Sequence, residues 1–350
     1  MTINAGIIGP GYIAQKAHMG VLQKDPRVVI KSVSSRTEKT ARMAAETFNV
    51  PGVYTSEEEM LRMEDLDLVI VATPNKFHHD GVMKALQAGC HVLCEKPPAV
   101  NAAEALKMEE AAAAAGLHLF YGFHERYTQE TEILKKAVAG GELGEIYHIN
   151  VQAMRRRGIP GWGAFTDKEL QGGGPLIDIG VHMLDLAVYL SGFLKPVEVS
   201  AVTHQRIGKK PGVGLLGSWD PSSFSIEDLA AGMIRFEHGV SLVLETSYAA
   251  NTAEEENLNV KLFGDKGGAE LSPFRMYGEK YGALLDITPV FLEKADPRDG
   301  YERQISHILD VIEGKAKPVS EPWQGTYVQQ LIDALYESAS REEAIRMKGL

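Results

Sequence analysis

Apolar runs of strand length alternate with helical patterns through the first 123 residues, and this alternation constrains the fold more than any other feature of the chain. Strands joined by helices at this spacing pair in parallel, with helices on both faces of the sheet. The sequence therefore predicts an α/β fold built on a doubly wound parallel sheet. The five predicted strands are Ile3–Ile8, Val28–Ser34, Leu66–Thr73, His91–Cys94 and Leu117–Phe123.

The pattern changes after residue 123, where strand-like runs follow one another with short turns between them. Consecutive strands of this kind predict a large open sheet that is mostly antiparallel. We therefore expect two domains, residues 1–123 and 124–350, which agrees with a length of 350 residues. A sheet face without helices favours burial against a second copy, so we expect a homodimer or homotetramer formed through the open sheet.

Composition excludes several classes of protein. With 36 basic and 47 acidic side chains the formal net charge is −11, which argues against nucleic acid or an anionic membrane as a partner. The two cysteines, Cys90 and Cys94, form no disulfide framework and lack zinc-site spacing, so we interpret them as buried thiols and expect no metal. No leader and no apolar run near the roughly 20 residues of a membrane span are predicted, so we expect a cytoplasmic protein.

A glycine-rich turn joins the first strand to the first helix. It reads Gly9-Pro10-Gly11-Tyr12-Ile13-Ala14, a G-x-G-x-x-A pattern. Gly9 permits a tight turn, Gly11 lets the backbone approach a pyrophosphate, and the following helix N-terminus attracts anions. Because it lies between a clear strand and a clear helix, the pattern predicts a dinucleotide site that includes Tyr12 and Ile13.

The end of the second strand bears on the choice of dinucleotide. Ser35 stands where an acidic residue would bind a free ribose 2′-hydroxyl, and Arg36 follows it. An uncharged side chain beside a guanidinium accommodates a 2′-phosphate, which favours NADP. If Arg36 instead stacks on adenine, the same residues suit NAD, so NADP or NAD is expected, with NADP slightly favoured.

Polar residues also follow the next two strands, at the carboxyl ends where open α/β sheets bind ligands. Thr73, Pro74, Asn75 and His78 follow one strand and are expected near the cofactor. The segment Glu95–Pro97 follows the other. There we expect Lys96 to point into the cleft, with Glu95 and Pro97 beside the cofactor; proline at this position can take the cis form.

A later helix, predicted over 176–190, carries Asp178 and His182 four residues apart, on one face. Their neighbours are apolar, and buried Asp and His side chains need partners or a function; a satisfied structural pair is the alternative. Together with Lys96 they form a set suited to alcohol oxidation. His182, with an ordinary pKa of about 6.5, would move the hydroxyl proton, and Lys96 would stabilise the developing alkoxide. Asp178 would orient a sugar hydroxyl or tune the basicity of its neighbours.

Three separated motifs resemble those of one enzyme family. GPGYIA, CEKPP and GGGPLIDIGVHMLD, in this order, are similar to the motifs of the glucose–fructose oxidoreductase / inositol dehydrogenase / MocA family, and the resemblance covers essentially the whole chain. It implies a Rossmann domain followed by an α/β domain with a large open sheet. It also implies a bound NAD or NADP and catalytic roles for Lys96, Asp178 and His182.

A narrower resemblance suggests the substrate. The segments 156–163, 165–170 and 217–221 are similar to those of bacterial D-glucoside 3-dehydrogenases of this family, which implies a carbohydrate dehydrogenase acting on a CH–OH group, preferably C3 of a glucoside. Ser35 departs from that group, whose members carry an acid there. Alternative activities are inositol or aldose dehydrogenation, or the redox-neutral cleavage of a glycoside with retained NAD.

Several residues are candidates for contacts to the sugar. Trp162 offers an aromatic face to a pyranose, and Arg156 offers donors to hydroxyl groups. Arg155–Arg157 can equally be a solvated run of charge, and Trp162 a packing anchor. His124 and Arg126, just past the last strand of the first domain, are further candidates at the cleft.

Overall fold

The computed structural model describes residues 2–291 and 298–347. Within these residues the chain forms fifteen strands. They are β1 (Ile3–Ile8), β2 (Val28–Ser34), β3 (Gly52–Tyr54), β4 (Leu68–Val71), β5 (His91–Cys94), β6 (Leu119–Tyr121), β7 (Ile146–Arg155), β8 (Pro196–His204), β9 (Leu229–Phe236), β10 (Ser241–Ser247), β11 (Glu256–Gly264), β12 (Gly267–Leu271), β13 (Phe274–Lys280), β14 (Ala283–Asp286) and β15 (Ile345–Arg346).

Ten α-helices are found in the same ranges, and two of them, α1 and α8, continue the π-helical segments Ala14–Met19 and Leu176–Gly180. The α-helices are α1 (Gly20–Leu22), α2 (Glu38–Phe48), α3 (Glu57–Met63), α4 (His78–Gln87), α5 (Ala102–Ala115), α6 (Gln129–Ala139), α7 (Lys168–Gln171), α8 (Val181–Ser191), α9 (Gly300–Ile312) and α10 (Pro322–Arg341). The π-helical segment Leu176–Gly180 and α8 together correspond to the helix that the sequence predicts over 176–190.

The chain divides into two compact units. Unit 1 comprises Met1–Tyr127 and Arg298–Gln329, and unit 2 comprises Thr128–Pro297 and Gln330–Leu350. Unit 1 contains a six-stranded sheet in the order β3-β2-β1-β4-β5-β6, and every pair in it is parallel. This is the strand order of a dinucleotide-binding Rossmann fold, so the predicted doubly wound sheet is confirmed.

The compact units differ from the single boundary expected after residue 123. Helix α9 belongs to unit 1, where Ile305, Ile308 and Leu309 join the same buried apolar cluster as strand β1. The side chain of Gln304 donates to the backbone carbonyl of Tyr121 at 2.8 Å, and Arg27 donates to Asp310 at 2.6 Å. These contacts join residues far apart in sequence, which periodicity along the chain does not reveal.

Unit 2 contains a nine-stranded sheet in the order β14-β13-β12-β11-β7-β10-β9-β8-β15. Only β7 and β10 pair in parallel, and the other strand pairs are antiparallel, so the large, mostly antiparallel sheet is also confirmed. The strands β13, β14 and β15 lie outside the strand-like runs that the sequence predicts for this domain, which are 145–154, 197–206, 229–237, 240–248, 258–264 and 268–272. Along β7 the side chains of Ile149, Val151 and Ala153 are buried, whereas those of Asn150 and Gln152 on the opposite face are half-buried.

The predicted helix over 176–190 lies in the interior of unit 2. The helical stretch Lys168–Ser191 is, within the described residues, the one long and apolar enough to cross a membrane by length and composition. However, 83% of its most apolar window is buried inside the protein. A Cβ at Gly180 would lie 2.6 Å from the Thr246 methyl group of β10, so glycine permits close packing of helix on sheet. Burial of this kind is that of a core helix.

Candidate functional site

The glycine-rich turn of unit 1 has the geometry that a pyrophosphate site requires. Gly9 adopts φ +81°, and a Cβ there would lie 2.8 Å from the backbone nitrogen of Thr73 at the end of β4. Glycine is therefore needed at this position both for its conformation and for space. At Gly11, by contrast, a Cβ would meet nothing closer than 4.0 Å, so one side of this backbone is open to a ligand.

A cavity of about 480 Å³ opens beside this turn. Six of the predicted cofactor residues line it: Gly9, Gly11, Ser35, Arg36, Thr73 and Pro74. Further residues that the sequence analysis did not single out complete it, among them Thr40, Thr55, Ser56, Phe77 and Asp80. Backbone N–H groups, hydroxyl groups and an aromatic ring are the chemistry that a dinucleotide needs, so the residues present fit NAD or NADP.

The wall of this cavity contains charges of both signs. The Arg36 guanidinium lies 5.2 Å from the centre of the Phe77 ring. Glu57 and Glu58 also line the cavity, and both pair with Lys84. The Lys84 hydrogen bond lowers the pKa of Glu58 to about 2. The strand end at Ser35 therefore lacks a carboxylate, while two paired carboxylates stand elsewhere in the cavity wall.

His78, a predicted cofactor residue, is fully buried between two strand ends. Its Nδ1 lies 2.8 Å from the Pro97 carbonyl oxygen, and its Nε2 lies 3.0 Å from that of Thr73. Burial lowers the pKa of His78, and a neutral imidazole donates to one of these oxygens. His78 thus holds together the segments after β4 and β5. Asn75 is also buried; it begins the short 3₁₀ turn between Thr73 and His78.

The segment after β5 contains a buried carboxylate–histidine contact that was not predicted from the sequence. Glu95 accepts a hydrogen bond from His18 Nε2 at 2.7 Å and another from the Lys96 N–H at 3.1 Å. Burial opposes the charge of this carboxylate, but the His18 hydrogen bond and the charges of His18 and Lys96 lower the pKa of Glu95 to about 2. Lys96 itself is half-buried, and its bond to Pro97 is cis.

Two signals could have pointed to this pair. His18 lies in the helical segment directly after the glycine-rich turn, on a side that is otherwise apolar. Gly122 lies at the end of β6, where a Cβ would approach the Glu95 carboxylate to 2.8 Å. Neither signal identifies its partner, since His18 and Glu95 are 77 residues apart.

The two candidates past β6 differ in their surroundings. The ring of His124 stacks on that of Tyr301, with centroids 3.8 Å apart and planes at 10°. Its Nε2 lies 3.2 Å from the Glu125 carboxylate. Arg126 is buried and donates to Gln324 and to the Val319 carbonyl, so its described contacts are structural ones within unit 1.

Unit 2 holds the other predicted catalytic residues. Asp178 lies in the π-helical first turn, Leu176–Gly180, and is 8% exposed; His182 follows in α8 and is half-buried. The phenol of Tyr248 donates to Asp178 Oδ2 at 2.5 Å. Burial, and then the neighbouring Asp178, raise the pKa of Tyr248, so this residue is a neutral donor at physiological pH. Tyr248 directly follows β10 and was not predicted as a site residue.

The candidate sugar-binding residues of the segment 155–162 contact other parts of unit 2. Arg155 pairs with Glu256 at 2.7 Å, Arg156 with Glu255 at 3.1 Å, and Arg157 donates to Asn251 at 2.7 Å. The arginines are thus held by acidic and amide partners rather than solvated singly. Trp162 is 50% exposed, and its ring meets that of Phe165 edge-on at 6.3 Å.

The cysteines and histidines form no metal centre in the described parts of the chain, where no group of three or more His, Cys, Asp or Glu side chains is suited to a metal ion. Cys90 and Cys94 are both buried and free, as expected for thiols that pack as small apolar side chains. Burial raises the pKa of Cys90 to about 11, which leaves this thiol protonated and unreactive at neutral pH.

Two solved structures share the fold over nearly the whole chain. The aldose-aldose oxidoreductase of Caulobacter crescentus, solved with glycerol, superposes with a TM-score of 0.83 at 24% identity, covering 99% of this chain and 100% of that one. A levoglucosan dehydrogenase, solved with NADH and levoglucosan, gives 0.83 at 22% identity and covers 99% of each chain.

Sequence comparison gives a closer relationship. The D-glucoside 3-dehydrogenase of Escherichia coli (strain K12) is 41% identical over 337 residues, which cover 96% of this chain and 95% of that enzyme. The family model described as an oxidoreductase family with an NAD-binding Rossmann fold matches residues 3–123, and that of the GFO/IDH/MocA C-terminal domain matches residues 131–270. The chain is therefore an NAD(P)-binding oxidoreductase and belongs to the GFO/IDH/MocA family.

Proposed function

We propose that this oxidoreductase is a carbohydrate dehydrogenase that oxidises a secondary hydroxyl group, preferably at C3 of a glucoside, to a ketone. The observation that carries the proposal is the 41% identity with the D-glucoside 3-dehydrogenase of Escherichia coli, which extends over 96% of the chain and so includes both units. A bound NAD(P) would supply the hydride acceptor.

Lys96, Asp178 and His182 divide the remaining work in this proposal. His182 takes the hydroxyl proton while the C–H bond breaks, which suits an imidazole at neutral pH. The Lys96 ammonium donates to the same oxygen and stabilises its developing negative charge. Asp178 accepts a hydrogen bond from the sugar and so orients it. The Tyr248 hydrogen bond to Asp178 supports this role, because it restricts the carboxylate to one orientation.

We assign the substrate contacts to His124, Arg156 and Trp162, in addition to the catalytic residues. The exposed face of Trp162 suits the apolar side of a pyranose ring. The Arg156 guanidinium, held by Glu255 and the Ala253 carbonyl, is fixed in direction and therefore suited to a hydroxyl group.

For the cofactor we propose that both NADP and NAD are accepted, with NADP slightly favoured. Arg36 lines the cavity, and Ser35 leaves the end of β2 without the carboxylate that would repel a 2′-phosphate. The test is Ser35→Asp, which we expect to shift the ratio of kcat/KM for NADP over NAD towards NAD by about tenfold, one repulsive contact being about 1.4 kcal/mol. An unchanged ratio would remove this argument, and Thr40→Ser in the same cavity serves as the control.

We further propose that the protein is a homodimer or homotetramer assembled through the half-buried face of the nine-stranded sheet, and that it works in the cytoplasm. The face carries Asn150 and Gln152 of β7, and the exposed apolar residues Val202 and Phe263 of β8 and β11. Light scattering coupled to size exclusion gives the oligomeric state, and Val202→Glu should dissociate the oligomer if this face forms the contact. An oligomer unaffected by that change would exclude the face.

The activity is tested by following cofactor reduction with NAD and with NADP against methyl α- and β-D-glucosides, glucose disaccharides, free aldoses and inositols. NMR of the product identifies the oxidised carbon. Reduction with a glucoside and a 3-keto product is the expected result. Oxidation of inositol or of the anomeric carbon of an aldose would assign one of the related dehydrogenase activities instead. Release of free sugar without net reduction would assign a redox-neutral glycosidase.

A further inference from the structure

A buried carboxylate lies against the backbone that begins the helix of Asp178. Glu227, just before β9, is 9% exposed. Its Oε2 accepts the Gly174 N–H at 2.9 Å, and its Oε1 accepts the Leu176 N–H at 3.2 Å and the Tyr336 hydroxyl at 2.8 Å. The first N–H groups of a helix lack partners within the helix, and a negative charge is favourable there. Glu227 therefore anchors the start of this helix.

The glycine run of the sequence is explained by this contact. A Cβ at Gly174 would overlap the Glu227 backbone carbonyl, and a Cβ at Gly173 would overlap the Tyr336 hydroxyl. Gly172, at φ +83°, ends α7 in the left-handed region that favours glycine. Gly173 and Gly174 thus bring the backbone against Tyr336 and Glu227, which come from distant parts of the chain.

The anchored backbone is bonded directly to Asp178. The Asp178 N–H donates to the carbonyl of Gly174 at 3.1 Å. Gly174 is therefore hydrogen-bonded both to Glu227, through its N–H, and to Asp178, through its carbonyl. The hydroxyl of Tyr248 donates to the Asp178 carboxylate, and the Tyr248 N–H donates to the carbonyl of Asp228 at 3.0 Å. Asp228 follows Glu227 in sequence. The two contacts to Asp178 therefore close into one ring through Glu227–Asp228.

Burial opposes the charge on Glu227 and raises its pKa, although the Tyr336 hydroxyl and the two backbone N–H groups act in the opposite direction. A buried carboxylate that accepts three hydrogen bonds is costly to place and is retained where position matters. The same packing serves Tyr336, whose pKa burial raises, so its hydroxyl remains a donor.

We propose that Glu227, assisted by Tyr336, is a positioning residue for Asp178, fixing the first turn of the catalytic helix in the orientation that the reaction needs. The inference rests on the proposed function, in which Asp178 orients the sugar hydroxyl. Glu227 is linked to Asp178 through the backbone of Gly174 and through the Asp228–Tyr248 contact.

The test is Glu227→Gln. The amide keeps the volume of the carboxylate, but its NH2 group cannot accept a hydrogen bond. The N–H of either Gly174 or Leu176 would therefore face another donor and lose its partner. We expect kcat with methyl β-D-glucoside to fall about 10–100-fold, since displacements on the order of 1 Å cost about that much. The Kd of the cofactor, measured by fluorescence titration, should change less than twofold, because the cofactor cavity lies in unit 1.

Two further variants separate positioning from loss of stability. Tyr336→Phe removes one hydrogen bond from Glu227 and should lower kcat about threefold to tenfold. Ser338 lies in α10, the helix that also carries Tyr336. Ser338→Ala removes its buried hydrogen bonds to the backbone of Ala201 and Glu343 but none to the glycine run, so it should leave kcat within twofold. If Glu227→Gln does not fold, the Tyr336→Phe and Ser338→Ala pair still decides the question.

Amide hydrogen exchange of residues 173–180 supplies a readout that needs no substrate. We expect exchange to be at least tenfold faster in Glu227→Gln than in the wild type, and unchanged in Ser338→Ala. Unchanged exchange, or kcat within twofold of the wild type for both Glu227→Gln and Tyr336→Phe, overturns the proposal. If the wild type oxidises none of the glucosides, the proposed function fails, and the kinetic comparison moves to whichever alcohol of the panel is oxidised while the exchange experiment stands unchanged.

Discussion

Two buried carboxylates, one in each unit, lie at the predicted catalytic residues, and they are compensated differently. In unit 1, Glu95 meets the imidazole of His18 at 2.7 Å and precedes Lys96, so it stands among groups that can carry positive charge. In unit 2, Asp178 meets the phenol of Tyr248 at 2.5 Å, a neutral donor. The described contacts of the first carboxylate thus include a histidine ring, whereas the described contact of the second is to a hydroxyl group.

This difference separates a structural acid from a functional one. A carboxylate paired with a cation has little charge left to act on a ligand, and its effect is to hold the chain around it. A neutral hydroxyl donor such as that of Tyr248 orients a carboxylate without bringing an opposite charge to it, which suits a carboxylate that accepts a hydrogen bond from a substrate. We therefore expect changes around Glu95 to act mainly on stability and changes around Asp178 mainly on turnover.

The largest effect on turnover should come from Lys96, which directly follows Glu95 in the sequence and is assigned to catalysis. Lys96→Ala removes a donor to the developing alkoxide, and we expect kcat to fall by roughly 10²–10⁴-fold. Cofactor affinity, measured by fluorescence titration, should change less than threefold. The exposed Lys24→Ala in the same unit is the control, and turnover of Lys96→Ala within threefold of the wild type would contradict the assignment.

The second effect concerns stability alone. His18→Ala leaves Glu95 buried without its partner, and we expect the free energy of unfolding at pH 7 to fall by about 3–5 kcal/mol. Denaturant titration measures this fall. In the double variant with Glu95→Gln no lone charge remains, so part of the lost stability should return. A double variant no more stable than His18→Ala would show that Glu95 does not need the imidazole.

The pH dependence of stability gives a third comparison. The pKa of Glu95 is about 2 in the folded chain against an ordinary value of 4.5, so the unfolded chain binds a proton more readily. The stabilisation from this carboxylate is thus complete above about pH 4.5 and is lost as the pH falls towards 2, on the order of 3 kcal/mol in all. Denaturant titrations at pH 6 and pH 3 should show a larger loss for the wild type than for Glu95→Gln. Equal losses would show that the charged Glu95 carboxylate does not contribute to the free energy of unfolding.

The smallest effect is expected at the neutral donor. Tyr248→Phe removes one hydrogen bond to a charged group, about 1.5 kcal/mol, so kcat/KM for the sugar should fall about tenfold. Ser247→Ala removes the neighbouring hydroxyl, which bonds to the Arg155 carbonyl instead, and should leave kcat/KM within twofold. If both variants behave alike, the Tyr248 hydroxyl does not act through Asp178.

The sequence predicts those features whose cause lies within a few neighbouring residues. The alternation of strands and helices, the turn at Gly9 and Gly11, and the presence of a helix over 176–190 all depend on local conformation, and the structure reproduces them. The position of Lys96 at a strand end also follows from topology, because the carboxyl ends of parallel strands share one edge of the sheet.

The supporting contacts could not be predicted in the same way. His18 and Glu95 are 77 residues apart, Asp178 and Tyr248 are 70 apart, and Gly174 and Glu227 are 53 apart. Each is a contact between elements whose relative position depends on the whole packing of a unit. The glycine run 172–174 signals that something approaches the backbone closely, but its neighbours Glu227 and Tyr336 are visible only in three dimensions.

Helix α9 has a consequence for how the chain is made. Its residues Ile305, Ile308 and Leu309 complete the apolar core of unit 1, although residues 128–297 of unit 2 separate them from the rest of that core. At about 5–20 residues per second, the ribosome would synthesise the intervening stretch in roughly 10–30 s. During this time the nascent Rossmann sheet would lack part of its cover. The unit whose synthesis begins first would therefore be completed only after most of unit 2 has been synthesised.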